Sequence, residues 1–493
     1  MDILLPAISY ALPFVIALIA AMCVVVFGVV ALRSPWLAML PFLMALFWLS
    51  ENRFGRIDAV ASPTLLSRGA GVLLFPAYLW SLLVVLTWAR LGISFRKHAP
   101  PLPSMALTGW FAAWALLLLA HVAVGAVFNV PFKQSLAPSG FSYIVWLWVL
   151  ISAMVVTVER PADARRLMWF IIAMGLARAV FGLIRFAAFG GDPANAYANR
   201  QGLDLKLTFF DINDSVLCAL SISLSLVLLY RSIPSGGWRA WQRALLWAAI
   251  VLPAVCIVLS FRRTAWVGTA LALGFVLLQL PAKVRWRLVL LALPVILVGI
   301  AYAARKRLSQ VSGSSTGFFY DLTLRNVGAE SPRLLELRLA WQTLLDHPFF
   351  GVGSWGSYKG WQQISWQFEA GEGGRGTFLH SGILHVALKT GLVGVILMVG
   401  AVITFALVWR RLRSTLPVEA LPLAVAGVAG VLFTLPDWIV GTPVSQVRTM
   451  LMLGLCVSLP FVAERCYARS AIAGSAEPAL VRRRGARLVL AAR

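Results

Sequence analysis

Acidic residues are scarce in this chain: 19 Asp and Glu stand against 43 Lys and Arg over 493 residues, a formal net charge of +24. The five cysteines (Cys23, Cys218, Cys256, Cys456 and Cys466) fall in or beside apolar stretches without CxxC spacing. That excludes a zinc-ribbon site and a disulfide framework. No HExxH occurs, and the DxD-type diacidic site of many sugar-nucleotide transferases is missing too, so neither a metal nor another cofactor is expected. No long-range repeat is apparent, which weighs against a flippase or transporter built from repeated halves. The N-terminal MDILLPAISYALPF has no basic n-region and no clear cleavage site. It reads as the start of a first membrane span, not as a cleaved signal peptide.

What is abundant is apolar sequence. Hydrophobic residues make up 60% of the chain, charged residues only 13%, and the mean hydropathy is +0.84. Such a composition belongs to polytopic membrane proteins. A helix needs about 20 apolar residues to cross the hydrocarbon core. By that measure spans are expected near 8–31, 34–50, 70–88, 105–128, 139–157, 167–189, 212–231, 244–260, 265–280, 288–304, 381–409, 418–436 and 448–464. The expected fold is an all-α polytopic membrane protein of about 12–13 transmembrane helices, with one large outward segment.

The basic residues sit in short clusters between apolar runs, which is the positive-inside pattern and not a nucleic-acid signature. Arg90, Arg96 and Lys97, then Arg160, Arg165 and Arg166, Arg231, Arg239 and Arg243, Lys283, Arg285 and Arg287, and Arg410, Arg411 and Arg413 mark every second loop as cytoplasmic. The stretch 51–69 fits this alternation badly, carrying Arg53, Arg56 and Arg68 on the outward side. The chain divides into N-terminal spans (1–304), an outward segment with surface helices (305–380), C-terminal spans (381–466) and a basic cytoplasmic tail (467–493) expected to lie disordered near anionic lipid.

Several residues oppose these trends. The outward turn SFRRT (260–264) carries Arg262 and Arg263, which the orientation rule disfavours, and opens a span whose N-terminus suits phosphate. The bland alternative is a snorkelling pair at the interface. Arg178 and Arg185 share one face of a membrane helix, either toward an anionic ligand or in an internal ion pair, for example with Asp211 or Asp214. In 331–353 an apolar face with charged residues opposite suggests a helix against the membrane surface, ended by Asp346-His347-Pro348 and the turn Gly351-Val352-Gly353. His347 reads as a turn residue. His380 stands where this segment enters the span TFLHSGILHVALKTGLVG, at an outward helix N-terminus that disfavours positive charge and leaves a neutral imidazole free to act as base.

Four blocks in order resemble the O-antigen ligase and O-antigen polymerase superfamily. They are TFFDINDSVLCAL (208–220), SFRRTAWVG (260–268), RLAWQTLLDHPFFGVG (338–353) and HSGILHVALKTGLVG (380–394). The chain departs from the family pattern at Arg262-Arg263-Thr264, at Ser381 where Asn is common, and at Ile212-Asn213-Asp214. The resemblance implies a GT-C-like membrane glycosyltransferase of the bacterial inner membrane, working on its periplasmic face. The donor would be a glycan on undecaprenyl pyrophosphate, and the acceptor a lipid A–core or glycan hydroxyl. His380 would be the base, and Arg263 would hold the pyrophosphate. Arg262, Arg178, Arg185, Arg338, Ser381 and Asn213 are the further substrate-binding candidates. A polymerase of surface polysaccharide and a protein O-oligosaccharyltransferase belong to the same family.

Overall fold

The computed structural model describes residues 29, 33–49, 106–135, 142–191, 206–209, 211–232, 237–311, 331–364, 379–441 and 443–467. The expected span near 70–88 and nearly all of that near 8–31 lie outside them, as do the stretch 51–69, the Gly-rich 371–376 and the tail from 468 on. The described residues are helical: α1 (Pro35–Trp48), α2 (Thr108–Val127), the single turn α3 (Phe132–Ser135), α4 (Ser142–Thr157), α5 (Pro161–Ala188), α6 (Ile212–Tyr230), α7 (Ala240–Val258), α8 (Arg263–Gln279), α9 (Ala282–Val311), α10 (Ser331–Asp346), α11 (Gly382–Thr415) and α12 (Leu421–Val440). The last helix is α13 (Val447–Tyr467). Among the described residues, seven helices are long and apolar enough to cross a membrane, and α1, α4 and α8 are shorter apolar helices. The chain is an all-α polytopic membrane protein. Helix α9 runs on to Val311, past the boundary expected at 304, because no helix breaker follows Tyr302 in AARKRLSQV.

Helix α6 is the centre. It is buried along its length and on every side, the condition of a helix enclosed by others. Helices α5, α7, α8 and α12 pack directly on it. Small residues allow the close approach: a Cβ on Gly175 of α5 would lie 2.5 Å from Ser221 Cβ, and one on Gly268 of α8 2.4 Å from the Phe433 carbonyl of α12.

The fourth sequence block is one half of an interlock. Helix α11 is broken at Gly391, whose φ of 60° and ψ of −155° lie outside the helical region. The turn after α10 fills the gap. The Val352 and Gly353 amides donate to the Leu388 and Lys389 carbonyls at 2.9 and 3.1 Å, while the Leu392 and Val393 amides donate to Pro348 and Phe349 at 2.8 and 3.2 Å. Backbone groups released by a break in a membrane helix need partners inside the protein, and this turn supplies all four. Lys389, fully buried, adds bonds from its ammonium to the Ser354 and Gly356 carbonyls. The blocks 338–353 and 380–394 are thus two strands of one joint.

Gly391 admits no side chain. A Cβ would stand 2.3 Å from the Phe349 carbonyl carbon, at a φ that L residues rarely adopt. Gly391→Ala is expected to cost at least about 1–3 kcal/mol and to lower the melting temperature of the detergent-purified protein. Gly274→Ala, where a Cβ meets nothing within 4 Å, is the control expected to leave it unchanged.

Candidate functional site

One end of the bundle gathers the polar chemistry. The C-terminal part of α5, the N-termini of α6, α8, α11 and α13 and the C-terminus of α12 all meet there, with the turn 259–262 crossing among them. The Thr208 amide donates to the Leu259 carbonyl at 3.2 Å, and a Cβ on Gly382 would touch Trp438 and Pro443. Every helix arrives with the direction that charge alternation expects.

The arginine turn is rigid. Phe261 is buried with φ 52°, unusual for a bulky residue, and Ser260 and Trp266 fasten the turn through bonds to the Ile257 carbonyl at 2.6 and 3.1 Å. Arg262 is the N-cap of α8 and Arg263 its first residue. Arg262 is partly buried, its Nε donating to Thr264 Oγ1 at 3.2 Å, while Arg263 is exposed. The buried Asp437, at the end of α12, lies within electrostatic reach of Arg262 and Asp211. Arg262 and Arg263 thus stand at the N-terminus of α8, a place that favours negative charge.

Beneath lies an ion network fully enclosed by protein. Arg178 meets Asp214 with Nε at 3.1 Å and Nη2 at 3.0 Å, and neither side chain is exposed. Arg448, on the first turn of α13, bonds Asp211 at 2.9 Å and Asp214 at 3.0 Å, and also the Leu46 and Phe47 carbonyls at the end of α1. Asp211 caps α6 by accepting from the Asn213 amide, and Asn213 Nδ2 bonds Asp211 and Thr449 at 2.7 and 3.1 Å. Two arginines and two aspartates balance, which is what makes their burial tolerable.

This network holds two residues expected to contact substrate. Arg178 and Asn213, candidates for substrate contact, are inside it with no surface to offer a ligand. The internal ion pair with Asp214 is what the structure shows for Arg178, whose guanidinium also lies 5.5–5.7 Å from the rings of Trp48, Phe181 and Phe209. Arg185, 5.4 Å from the Phe181 ring, is buried two turns further along α5. Arg338 is exposed on α10. Ser381 is the N-cap of α11, its Oγ accepting from the Leu384 amide at 3.3 Å. That explains why Ser can stand where Asn is common, since both are strong N-cap residues.

His380 sits one residue before this cap. Its backbone amide and its Nδ1 both reach Oε2 of Glu336 on α10, at 3.1 and 2.9 Å. The imidazole is 21% exposed and the carboxylate not at all. From Glu336, α10 follows the first turns of α11 down to the interlock at Gly391, so both ends of α10 are fixed to the helix that bears the histidine. Its outer face carries Leu334, Trp341 and Leu345, and Phe349 and Phe350 follow; all five are exposed. This is the apolar surface expected of a helix against lipid. At its foot Lys359 pairs with Asp346 at 2.7 Å and holds that carboxyl below the usual range, an exposed pair worth little to stability. His347 is exposed and serves the turn, its carbonyl accepting from Gly351.

Sequence reasoning missed three residues: Glu336, Arg448 and Asp437. Each had a signal. Glu336 occupies the same helix face as Ala340 and Thr343, both buried, so it is an acid on the inner side of an amphipathic helix. Arg448 is a basic residue opening an apolar span on the outward side, and Asp437 an acid closing one. Among the described residues, no group of three or more His, Cys, Asp or Glu stands where it could hold a metal ion.

Residues 248–399 match the family model described as O-antigen ligase. No curated protein matches the chain at a significant level. The matched stretch begins in α7 and holds the arginine turn, α10, the interlock and His380, so the likeness covers these segments and not the ion network. Within an all-α polytopic membrane protein, residues 248–399 are thus similar to the family described as O-antigen ligase.

Proposed function

We propose that the chain is a membrane glycosyltransferase of the ligase type. It moves a glycan from undecaprenyl pyrophosphate to an acceptor hydroxyl, lipid A–core or another glycan, on the periplasmic face of the inner membrane. The observation that carries the reading is the meeting of the arginine turn and the His380–Glu336 pair at one end of the bundle, within the family-matched stretch.

In this reading Arg263, helped by Arg262 and the first amides of α8, binds the pyrophosphate and stabilises the charge that grows on it as the bond breaks. Arg185, buried in the last turns of α5, adds positive charge to this end of the bundle. Nε2 of His380 takes the proton of the acceptor hydroxyl while that oxygen bonds to the anomeric carbon and the carbon–phosphate oxygen bond breaks. One displacement inverts configuration at the sugar. The leaving group departs as undecaprenyl pyrophosphate. No residue forms a covalent intermediate, and the exposed face of α10 rests on lipid near the entry of the carrier.

Arg263→Ala is expected to reduce transfer by roughly 10²–10³-fold, the usual effect of removing one group that stabilises developing charge. The measurement is glycan transfer from lipid-linked donor by the purified protein in lipid, with folding checked by monodispersity. Activity within threefold of wild type would remove Arg263 from the site. Among the described residues, no second half resembling the first favours a transporter.

A further inference from the structure

We infer that Glu336 is a positioning residue that holds His380 in a single tautomer, with the proton on Nδ1 and the lone pair on Nε2. The inference deepens the reading of His380 as the base and rests on it for its consequence, though not for its geometry. Oε2 of Glu336 receives two contacts from one residue, the His380 backbone amide at 3.1 Å and the ring Nδ1 at 2.9 Å. An amide can only donate, so this oxygen acts as an acceptor, and an acceptor asks a donor of Nδ1. The proton therefore belongs on Nδ1, and Nε2 is left with its lone pair.

Position supports the same conclusion. The carboxylate is fully buried while the imidazole is one-fifth exposed, so the edge that meets the site is the edge bearing Nε2. The double contact also fixes the ring's rotation, since main chain and side chain of His380 are held by one atom. Glu336 cannot drift, because its helix is tied at the other end by the four backbone bonds around Gly391. The same logic orients imidazoles in hydrolases and in metal sites, where a carboxylate behind the ring sets the tautomer and stabilises the imidazolium that forms. Here the carboxylate comes from the outward segment and the histidine from the start of a membrane span. The segment thereby supplies a working part of the site and not only its cover.

The test has two arms. The first is solid-state ¹⁵N NMR of histidine-labelled protein in lipid, with the His380 signals assigned by their loss in His380→Ala. The wild type is expected to show a protonated Nδ1 and an unprotonated Nε2. Glu336→Ala, and the apolar Glu336→Leu should Ala fail to fold, are expected to lose this single pattern. A wild type protonated on Nε2, or variants with unchanged resonances, would overturn the inference. The second arm is transfer kinetics: kcat of Glu336→Gln is expected to fall roughly 10²-fold, with KM for the lipid-linked donor little changed. A kcat equal to wild type would overturn it too. If His380→Ala itself kept full transfer, the reading of the reaction would fall, while the NMR arm would still decide the tautomer.

Discussion

His380→Ala is expected to abolish measurable glycan transfer while leaving expression, membrane insertion and monodispersity intact. General-base catalysis is worth typically about 10²–10⁴-fold, and among the described residues no other imidazole stands in its place. His385, five residues on, is buried and turned about 140° around the helix, and His347 is at the far end of α10. The fold tolerates the change because the ring is partly exposed and the cap of α11 is made by Ser381, not by His380. The backbone bond to Glu336 survives in the alanine variant. Transfer by the purified variant at more than about a tenth of the wild-type rate would exclude His380 as the base.

Asp214→Ala is expected to have the largest effect on stability. Asp214 receives bonds from both buried arginines, and removing it leaves two guanidiniums facing each other in protein interior. Breaking a buried pair by deleting one partner costs about 3–5 kcal/mol, and here one carboxylate serves two partners. The loss also reaches α1, which Arg448 ties through the Leu46 and Phe47 carbonyls. The expected outcome is poor yield and a large fall in melting temperature in detergent. Asp214→Asn, which keeps one acceptor oxygen, makes the other a donor and removes the charge, should fall between. A variant melting within about 2 °C of wild type would show that the network contributes little.

These two residues illustrate what the sequence made legible. His380 and the arginine turn stood out because each opposes a strong local rule, polarity at the mouth of a span or charge on the wrong side of the membrane. The interlock was visible only as glycines and a proline at set spacings. Its physical cause, a broken helix whose backbone is completed by a distant turn, needs two segments about 40 residues apart to be seen together. The ion network was half legible. Arg178 was plainly anomalous, and Asp211 and Asp214, at the start of the next span, offered themselves as partners. Arg448, more than 230 residues away, looked like the edge of an outward loop. Glu336 was hidden among alternating leucines and arginines, where the sequence pattern alone does not say which face turns inward.

The most direct measurement is the lipid-carrier pool of cells lacking the chain. Extraction and mass profiling of undecaprenyl-pyrophosphate-linked glycans, with surface glycans profiled in parallel, reads both ends of the reaction. The expected result is accumulation of long glycans on the carrier and loss of their acceptor-linked form, restored by the wild-type chain and not by His380→Ala. An unchanged carrier pool with normal surface glycans would contradict glycan transfer, and accumulated single repeats would contradict the ligase assignment in favour of polymerisation.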